Sequence, residues 1–288
     1  MSILAVINPI AGTSKKENLI NSLKKEFQNI DFLIWKNKNQ DITTEIKNLI
    51  EKNNYSTIIA CGGDGTINKV SHAILNMDIN LGIIPIGSGN GFAHYLKIPI
   101  NINKAINIIK AGKREKIDVG LINNDYIFLC TFGIGFDAII AHEFAKSKKR
   151  GVLTYAQKVI KKLFTYKPEP YLIEFNNQKI KGNFFLINIA NINQWGFNIK
   201  IAPKALINDG FLDLTIVYSF NKIITPYLLT LLFLEKIYKS SKVYSCKTKY
   251  FKIFSNKINY CHFDGEAIQI NGDIEIKILE RSLNVIIP

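Results

Sequence analysis

The 288-residue sequence contains only four cysteines, Cys61, Cys130, Cys246 and Cys261, and none forms a C-x-x-C pair. This scatter argues against a zinc site and against a disulfide framework, and it fits a reducing cytoplasm. No apolar stretch is long enough to span a bilayer. The longest, IITPYLLTLLFL at 223–234, carries Pro226 and falls well short of the roughly 20 residues a crossing requires; it is expected to be a core helix. The N-terminus has no basic leader, so a secretory signal is not expected. Two glycine fingerprints are also missing. Reading G-x-G-x-x-G from Gly63 puts Asn68 where the third glycine belongs, and Gly112-Lys113 is followed by Arg114 rather than Ser or Thr. Neither a dinucleotide-binding turn nor a P-loop is supported. Acidic residues are the minority, 23 against 37 Lys and Arg, for a net charge of +14. Such an excess suits nucleic acid, an anionic membrane or an anionic substrate such as ATP. Because the chain is rich in Lys, Asn and Ile throughout, charge is given little weight and no nucleic-acid partner is expected.

The chain is organised around IIACGGDGTINKV at 58–70. A run of β-branched residues empties into two glycines, a carboxylate and a helical pattern. Gly62 and Gly63 let a ligand approach main-chain N–H groups, and the following helix points its positive N-terminal end at the same spot. Thr66 adds a hydroxyl. Asp64 beside a phosphate nest is repulsive unless a divalent cation lies between them or the carboxylate acts on a proton, which argues for phosphoryl chemistry. The plainer alternative, a strand–turn–helix connection with Asp64 as N-cap, does not require a double glycine.

Strands at 3–8, 31–35, 57–61 and 81–87 alternate with helices at 18–28, near 43–52 and after GGDGT. This predicts a doubly wound parallel sheet, with ligands at the carboxyl ends of its strands. Three loops of small residues fall at those ends: Asn8-Pro9-Ile10-Ala11-Gly12, Gly62–Thr66 and Gly87-Ser88-Gly89-Asn90-Gly91. After about residue 116 the texture changes to alternating segments joined by Asn- or Gly-containing turns, as in IDVGLINNDYIFLCTF, YLIEFNNQKIKG, YFKIFSNKINYC and AIQINGDIEIKIL. These predict an antiparallel second domain. Between its strands, 149–166 has Val152, Ala156, Val159 and Leu163 at helical spacing, with Lys158, Lys161 and Lys162 clustered elsewhere. It reads as a core-packed helix with a solvated basic face in preference to a membrane-surface element. His72 and His262 have no metal-ligand partner at sequence spacing and are read as structural.

VINPIAG, GGDGTIN, GIIPIGSGNGFA, DGFLD at 209–213 and DGE at 264–266 occur in the order and approximate spacing of the diacylglycerol kinase and sphingosine kinase family of lipid kinases, which the whole chain resembles. GGDGT alone is shared with NAD kinases and phosphofructokinases; together with GSGN and the late DGE it is specific for the lipid kinases. The resemblance implies an α/β ATP-binding domain at 1–118, followed by a β-sandwich lipid domain at 119–288 whose last strand is a candidate to return to the first. It implies that Asn8, Pro9, Ile10, Ala11, Gly12, Gly63, Gly65, Thr66, Ile67, Asn68 and Ser88 bind ATP. The family's catalytic base falls on Glu266, and its structural Mg2+ on Asp209 with the backbone carbonyls of Leu206 and Phe211. A looser match places a nucleotide contact near Lys36. Lys69, Gly91 and His94 depart from the common pattern; Gly91 blurs the substrate class, and Lys69 could face a phosphate or solvent.

The expected activity is ATP- and Mg2+-dependent phosphorylation of a lipid hydroxyl, with diacylglycerol giving phosphatidic acid, and with Asp64 and Glu266 as the catalytic carboxylates. The expected partners are a membrane lipid and, transiently, the membrane surface, from a cytoplasmic position at the inner face; a homodimer is left open. The competing readings are a sphingoid-base or other lipid kinase, an NAD-type kinase of a soluble metabolite, and a catalytically silent lipid-binding protein.

Overall fold

The structure is a computed structural model that describes residues 2–9, 16–35, 40–146, 152–195 and 199–288. The chain divides into two compact units, Met1–Asp118 with Glu280–Pro288, and Val119–Leu279.

The first unit begins with a continuous apolar run that can be buried on both faces only in a parallel sheet. In chain order it contains β1 (Ser2–Ile7), α1 (Lys16–Glu26), β2 (Ile30–Ile34), α2 (Ile42–Lys52), β3 (Tyr55–Gly62), α3 (Asp64–Ala73), β4 (Asn80–Pro85), α4 (Gly91–Tyr95), α5 (Ile102–Ala111) and β5 (Arg114–Ile122), which runs on into the second unit. Side chains set the helix limits. The Asp41 carboxylate accepts from the Thr44 N–H to cap α2, Asn101 does the same for α5 through Lys104, and Gly112 ends α5 with φ +68°. β1 pairs in parallel with both β2 and β3, and β3 pairs in parallel with β4. The chain therefore winds from β1 outward to β2 and then, from β3, outward the other way to β4. The carboxyl ends of β1 and β3 flank the point where the winding reverses, which is where ligands bind in such sheets.

The second unit contains β6 (Tyr126–Phe128), β7 (Thr131–Gly135), α6 (Phe136–Ala145), α7 (Val152–Thr165), β8 (Glu169–Phe175), β9 (Gln178–Ala190), β10 (Leu212–Tyr218), α8 (Thr225–Phe233), β11 (Val243–Thr248), β12 (Tyr250–Phe254), β13 (Ile258–Phe263), β14 (Glu266–Asn271) and β15 (Ile274–Ile286). β15 carries the chain back into the first unit, where Asn284 and Val285 pair in parallel with Asn80 and Leu81 of β4. The long β9 pairs with three strands: residues 178–184 pair with β8, and residues 184–190 lie between β7 and β10. The two layers enclose one apolar core that includes Phe128, Phe132, Phe175, Phe184 and Phe251. The domain is antiparallel, as the alternating segments predicted, and a sandwich, as the resemblance implied.

Three hairpins turn on two residues with positive φ: Asn123-Asn124, Asn176-Asn177 and Asp264-Gly265. Both central residues are left-handed, as in the type I′ turns whose twist matches that of the paired strands. Two other segment pairs correct the sequence expectation. In YFKIFSNKINYC, β12 pairs with β8 and β15 while β13 pairs with β7 and β14; in AIQINGDIEIKIL, β14 pairs with β13 and β15 with β12. Alternation identifies a strand, whereas its partner is set by which layer its apolar face completes.

The helices differ from expectation in two respects. Val159 and Leu163 of α7 do pack on a core cluster, and Lys158 and Lys162 lie 3.9 and 3.3 Å from Glu143 of α6, but Ile160 and Phe164 are exposed. The segment 223–234 is not a core helix: only Leu228 of α8 is buried, and Ile223 is 81% and Phe233 69% exposed. No helix among the described residues is long and apolar enough to cross a membrane. Truncating a ring at the centre of the sandwich, Phe251→Ala, should cost about 3–5 kcal/mol, to be measured by urea denaturation.

Candidate active site

The loops after β1, β3 and β4 are tied to one another. The Asn8 N–H donates to the Cys61 carbonyl at 3.1 Å, and the Asn8 side-chain amide donates to the Thr66 hydroxyl at 3.1 Å. The Ile86 N–H donates to the Gly62 carbonyl, so the β3–β4 ladder continues into the turns. Beyond it, the backbones of Gly63 and Gly87 meet directly. A Cβ on Gly87 would lie 2.4 Å from the Gly63 Cα, closer than any side chain can approach.

Asn90 adopts φ +52° and turns its side chain back on the same loop, accepting from the Gly87 N–H at 3.0 Å and donating to the Gly87 carbonyl at 2.8 Å. It therefore does not cap α4, whose N-cap position it occupies. Asp64 does so from the neighbouring loop, accepting from the Gly91 and Phe92 N–H groups at 3.0 Å each, one to each carboxylate oxygen. The sequence reading gave Asp64 cation or proton chemistry, with the N-cap of its own helix as the plainer alternative; in the structure its carboxylate joins two loops, capping α4 instead of α3. Among the described residues no side chain caps α3, whose N-cap is Gly63, and its first-turn amides provide the positive helix end.

The expected ATP-binding residues separate by exposure. Gly65 and Ser88 are exposed and Gly63 is half-buried on this rim, whereas Thr66, Ile67 and Asn68 are buried. The Ile67 side chain belongs to the core, so only its backbone could face a ligand. Asn8 and Pro9 are half-buried at the end of β1; Ile10, Ala11, Gly12 and Lys36 lie outside the described residues. Lys69 is partly exposed and acts on Asp41 and His72. Burial, with Lys47 and Lys69, holds the His72 imidazole below its ordinary pKa.

In the second unit, Glu266 is exposed at the first position of β14, opposite Phe263. The turn that presents it is held by Asp264, whose carboxylate accepts from the Leu129, Cys130 and Thr131 N–H groups at 2.9, 2.7 and 3.1 Å. The Asp264 N–H donates to the Thr131 carbonyl. Behind the hairpin, His262 Nε2 lies 3.1 Å from Asp137 Oδ2, both buried, and a Cβ on Gly133 would strike both groups. The roles of Asp264 in holding the turn and of Asp137 beside His262 escaped the sequence reading. Only the Asp-Gly turn signal pointed to the first, and nothing local pointed to the second.

Asp209 lies in the turn before β10 with Leu206 and Phe211, both exposed. One of its oxygens accepts from the Phe211 N–H at 3.0 Å, and the other forms an ion pair with Lys247. Burial raises the neighbouring Asp213 carboxyl from 3.8 to about 6; Lys247 opposes the rise and Asp209 adds to it. Among the described residues Asp213 Oδ2 has no hydrogen-bond partner.

Both halves of the chain match known domains: the diacylglycerol kinase catalytic domain at residues 2–122, and the YegS C-terminal NAD kinase beta sandwich-like domain at residues 131–287. The chain belongs to the diacylglycerol kinase and YegS lipid kinase family. A protein of Enterobacter sp. (strain 638) named "Probable lipid kinase YegS-like" is 30% identical over 238 residues, covering 81% of this chain and 78% of the relative. A diacylglycerol kinase of Staphylococcus saprophyticus is 32% identical over 232 residues, covering 78% and 75%. The fold is shared with a diacylglycerol kinase structure from Bacillus anthracis, at TM-score 0.72 and 21% identity over 100% of this chain and 97% of the other. It is shared more distantly with an NAD kinase of Archaeoglobus fulgidus in complex with ATP, at TM-score 0.56 and 12% identity over 99% and 93%.

In this family member the fit between the Gly63 and Gly87 loops can be tested by contrast. Gly87→Ala should cost about 1–3 kcal/mol by overpacking, whereas Gly65→Ala, with nothing within 4 Å of the added Cβ, should be neutral or slightly stabilising in urea denaturation. Asp213 makes a pH-dependent prediction. A carboxyl whose folded pKa exceeds its unfolded value contributes stability while protonated, fully below about pH 4, and that contribution is lost as pH rises through about 6. Asp213→Asn, which mimics the neutral form, should raise the melting temperature at about pH 8 and leave it nearly unchanged near pH 4.

Proposed function

We propose that this protein is an ATP- and Mg2+-dependent lipid kinase that transfers the γ-phosphoryl group to a lipid hydroxyl, with diacylglycerol as acceptor and phosphatidic acid as product. The observation that carries the reading is the joined rim in which Asn8 meets Thr66, Gly63 meets Gly87 and Asp64 caps α4. Family membership and the names of the relatives support the acceptor class. In this reading the backbone N–H groups of the glycine loops and the uncapped end of α3 bind the phosphates, with Asn8, Pro9, Gly63, Gly65, Thr66 and Ser88 as the described contacts. Asp64 fixes the loop after β4. Glu266 takes the hydroxyl proton of the lipid as its oxygen forms a bond to the γ-phosphorus and the bond to the β-phosphate oxygen breaks, releasing ADP.

Mg2+ would neutralise phosphate charge when bound with the nucleotide. A second, structural ion would be held by Asp209 and the backbone carbonyls of Leu206 and Phe211. That all-oxygen set suits a hard divalent cation, although Lys247 already pairs with the same carboxylate. The proposed location is cytoplasmic and peripheral at the inner membrane face, where the acceptor resides.

The test is transfer of radiolabelled γ-phosphate to micelles of diacylglycerol, sphingosine, ceramide and phosphatidylglycerol, with NAD as the soluble competitor. Diacylglycerol should be labelled, and Glu266→Gln should lower kcat roughly 10² to 10⁴-fold without changing the melting temperature, since the side chain is exposed. Labelling of NAD alone, or wild-type turnover by Glu266→Gln, would refute the assignment.

A further inference from the structure

The segment 219–242 concentrates exposed apolar residues on a short helical element. A single turn of 3-10 helix at Lys222–Ile224, capped by the Asn221 side chain accepting from the Ile223 N–H at 3.0 Å, leads into α8 with Pro226 in its first turn. α8 is anchored by Leu228, which is buried, and by Leu232, which packs against the small cluster of Ala190, Ile201, Ala202 and Ala205. Of the other large apolar side chains of the segment, Ile223, Tyr227, Leu229, Phe233, Leu234 and Tyr238 are exposed, Ile224 and Leu231 are half-buried and Ile237 is buried. Isolated apolar residues on a surface mean little, but six within sixteen positions of one short segment form a patch of the kind that marks an interaction site.

The charged residues of the segment are mostly basic. Lys236, Lys239 and Lys242 are exposed just past the end of α8, and Lys204 lies 4.8 Å from the centre of the Tyr238 ring. The only acidic residue in 219–242 is Glu235, and it is neutralised by Lys200 at 2.8 Å. An apolar face with two tyrosines and a lysine collar matches a lipid interface: acyl chains take the leucines and phenylalanine, the headgroup region takes the tyrosines, and anionic phosphates take the lysines. A helix of nine residues, about 14 Å long, cannot cross the roughly 30 Å hydrocarbon layer. It can lie in one leaflet's interface.

We propose that α8 and its flanks, from Ile223 to Lys242, are the element by which this protein docks on an anionic bilayer, with Ile223, Phe233 and Leu234 entering the acyl boundary. The inference deepens the lipid-acceptor reading by naming where the protein meets the surface that holds the acceptor. A second copy of the chain would cover the apolar residues but would have to bring two lysine collars together, which repel.

Co-sedimentation with vesicles of phosphatidylcholine, with and without phosphatidylglycerol, at low and high salt tests the surface. Wild type should bind the anionic vesicles and lose affinity as salt rises. Replacing Ile223, Phe233 and Leu234 by Ser should weaken binding by roughly tenfold per residue, and Lys236, Lys239 and Lys242 by Gln about fivefold each at low salt only. Phe233→Trp, which preserves the fold, should show an emission blue shift on adding anionic vesicles. Absence of binding by wild type, unchanged binding by the Ser variant, no blue shift, or a dimer that the Ser variant dissociates without losing vesicle affinity would each overturn the proposal. Phosphorylation of a short-chain, water-soluble diacylglycerol separates the two readings. The Ser variant should retain it if docking alone is lost, and wild type lacking it while still binding vesicles would strike the kinase assignment and leave the docking surface standing.

Discussion

A methyl group at Gly87 would sit 2.4 Å from the Gly63 Cα and 2.8 Å from the Asn90 side-chain oxygen, so the loops after β3 and β4 can close on each other only as bare backbone. Adjacent parallel strands deliver these loops side by side, and absence of side chains lets them touch. Once they touch, the remaining rim geometry follows. Asn90 is drawn into the left-handed region to hold Gly87, its capping duty at α4 falls vacant, and the Asp64 carboxylate fills it from across the contact. The uncapped α3 and the exposed Gly65 and Ser88 remain facing outward. An uncapped helix N-terminus beside exposed glycine-loop backbone is the kind of feature on which anions are bound in other proteins.

The second unit uses a carboxylate in the same way. Asp264 gathers three successive amides of residues 129–131 and thereby fixes the Asp-Gly turn that starts β14. Asp64 and Asp264 are both acidic residues whose charge is spent on backbone N–H groups, which makes them architectural supports for neighbouring groups. Glu266, two residues beyond Asp264, is exposed by contrast. The DGE motif thus contains two carboxylates with opposite duties, one holding the turn and the other presented by it.

Much of this was legible in the residues. The parallel domain could be read because strands buried on both faces are continuously apolar, and the antiparallel domain because half-buried strands alternate and reverse at Asn- or Gly-containing turns; that it forms a sandwich was implied by the resemblance. The glycine loops could be read because only glycine tolerates such close approach. What escaped is instructive. The apolar segment 223–234 read as core because composition records only that a helix is apolar; whether the fold offers it a cavity or leaves it against solvent depends on what packs there, and in this segment Leu228 is buried and Leu232 packs on a small cluster while Ile223, Leu229, Phe233 and Leu234 are exposed. The partners of β12 to β15 escaped for a similar reason, since short connections suggest hairpins while layer completion decides the pairing.

The sequence by itself determined the local conformations: strands, helices with their caps at Asp41 and Asn101, left-handed turns and the order of the loops, all governed by interactions within a few residues. Tertiary structure alone decided that Asp64 serves α4, that Asp264 serves residues 129–131, that Asp137 meets His262 across 125 positions, and that α8 is left uncovered. Hydrogen bonds and burial between distant segments exist only after the chain has closed its long loops, and no local pattern encodes which donors a carboxylate will then find.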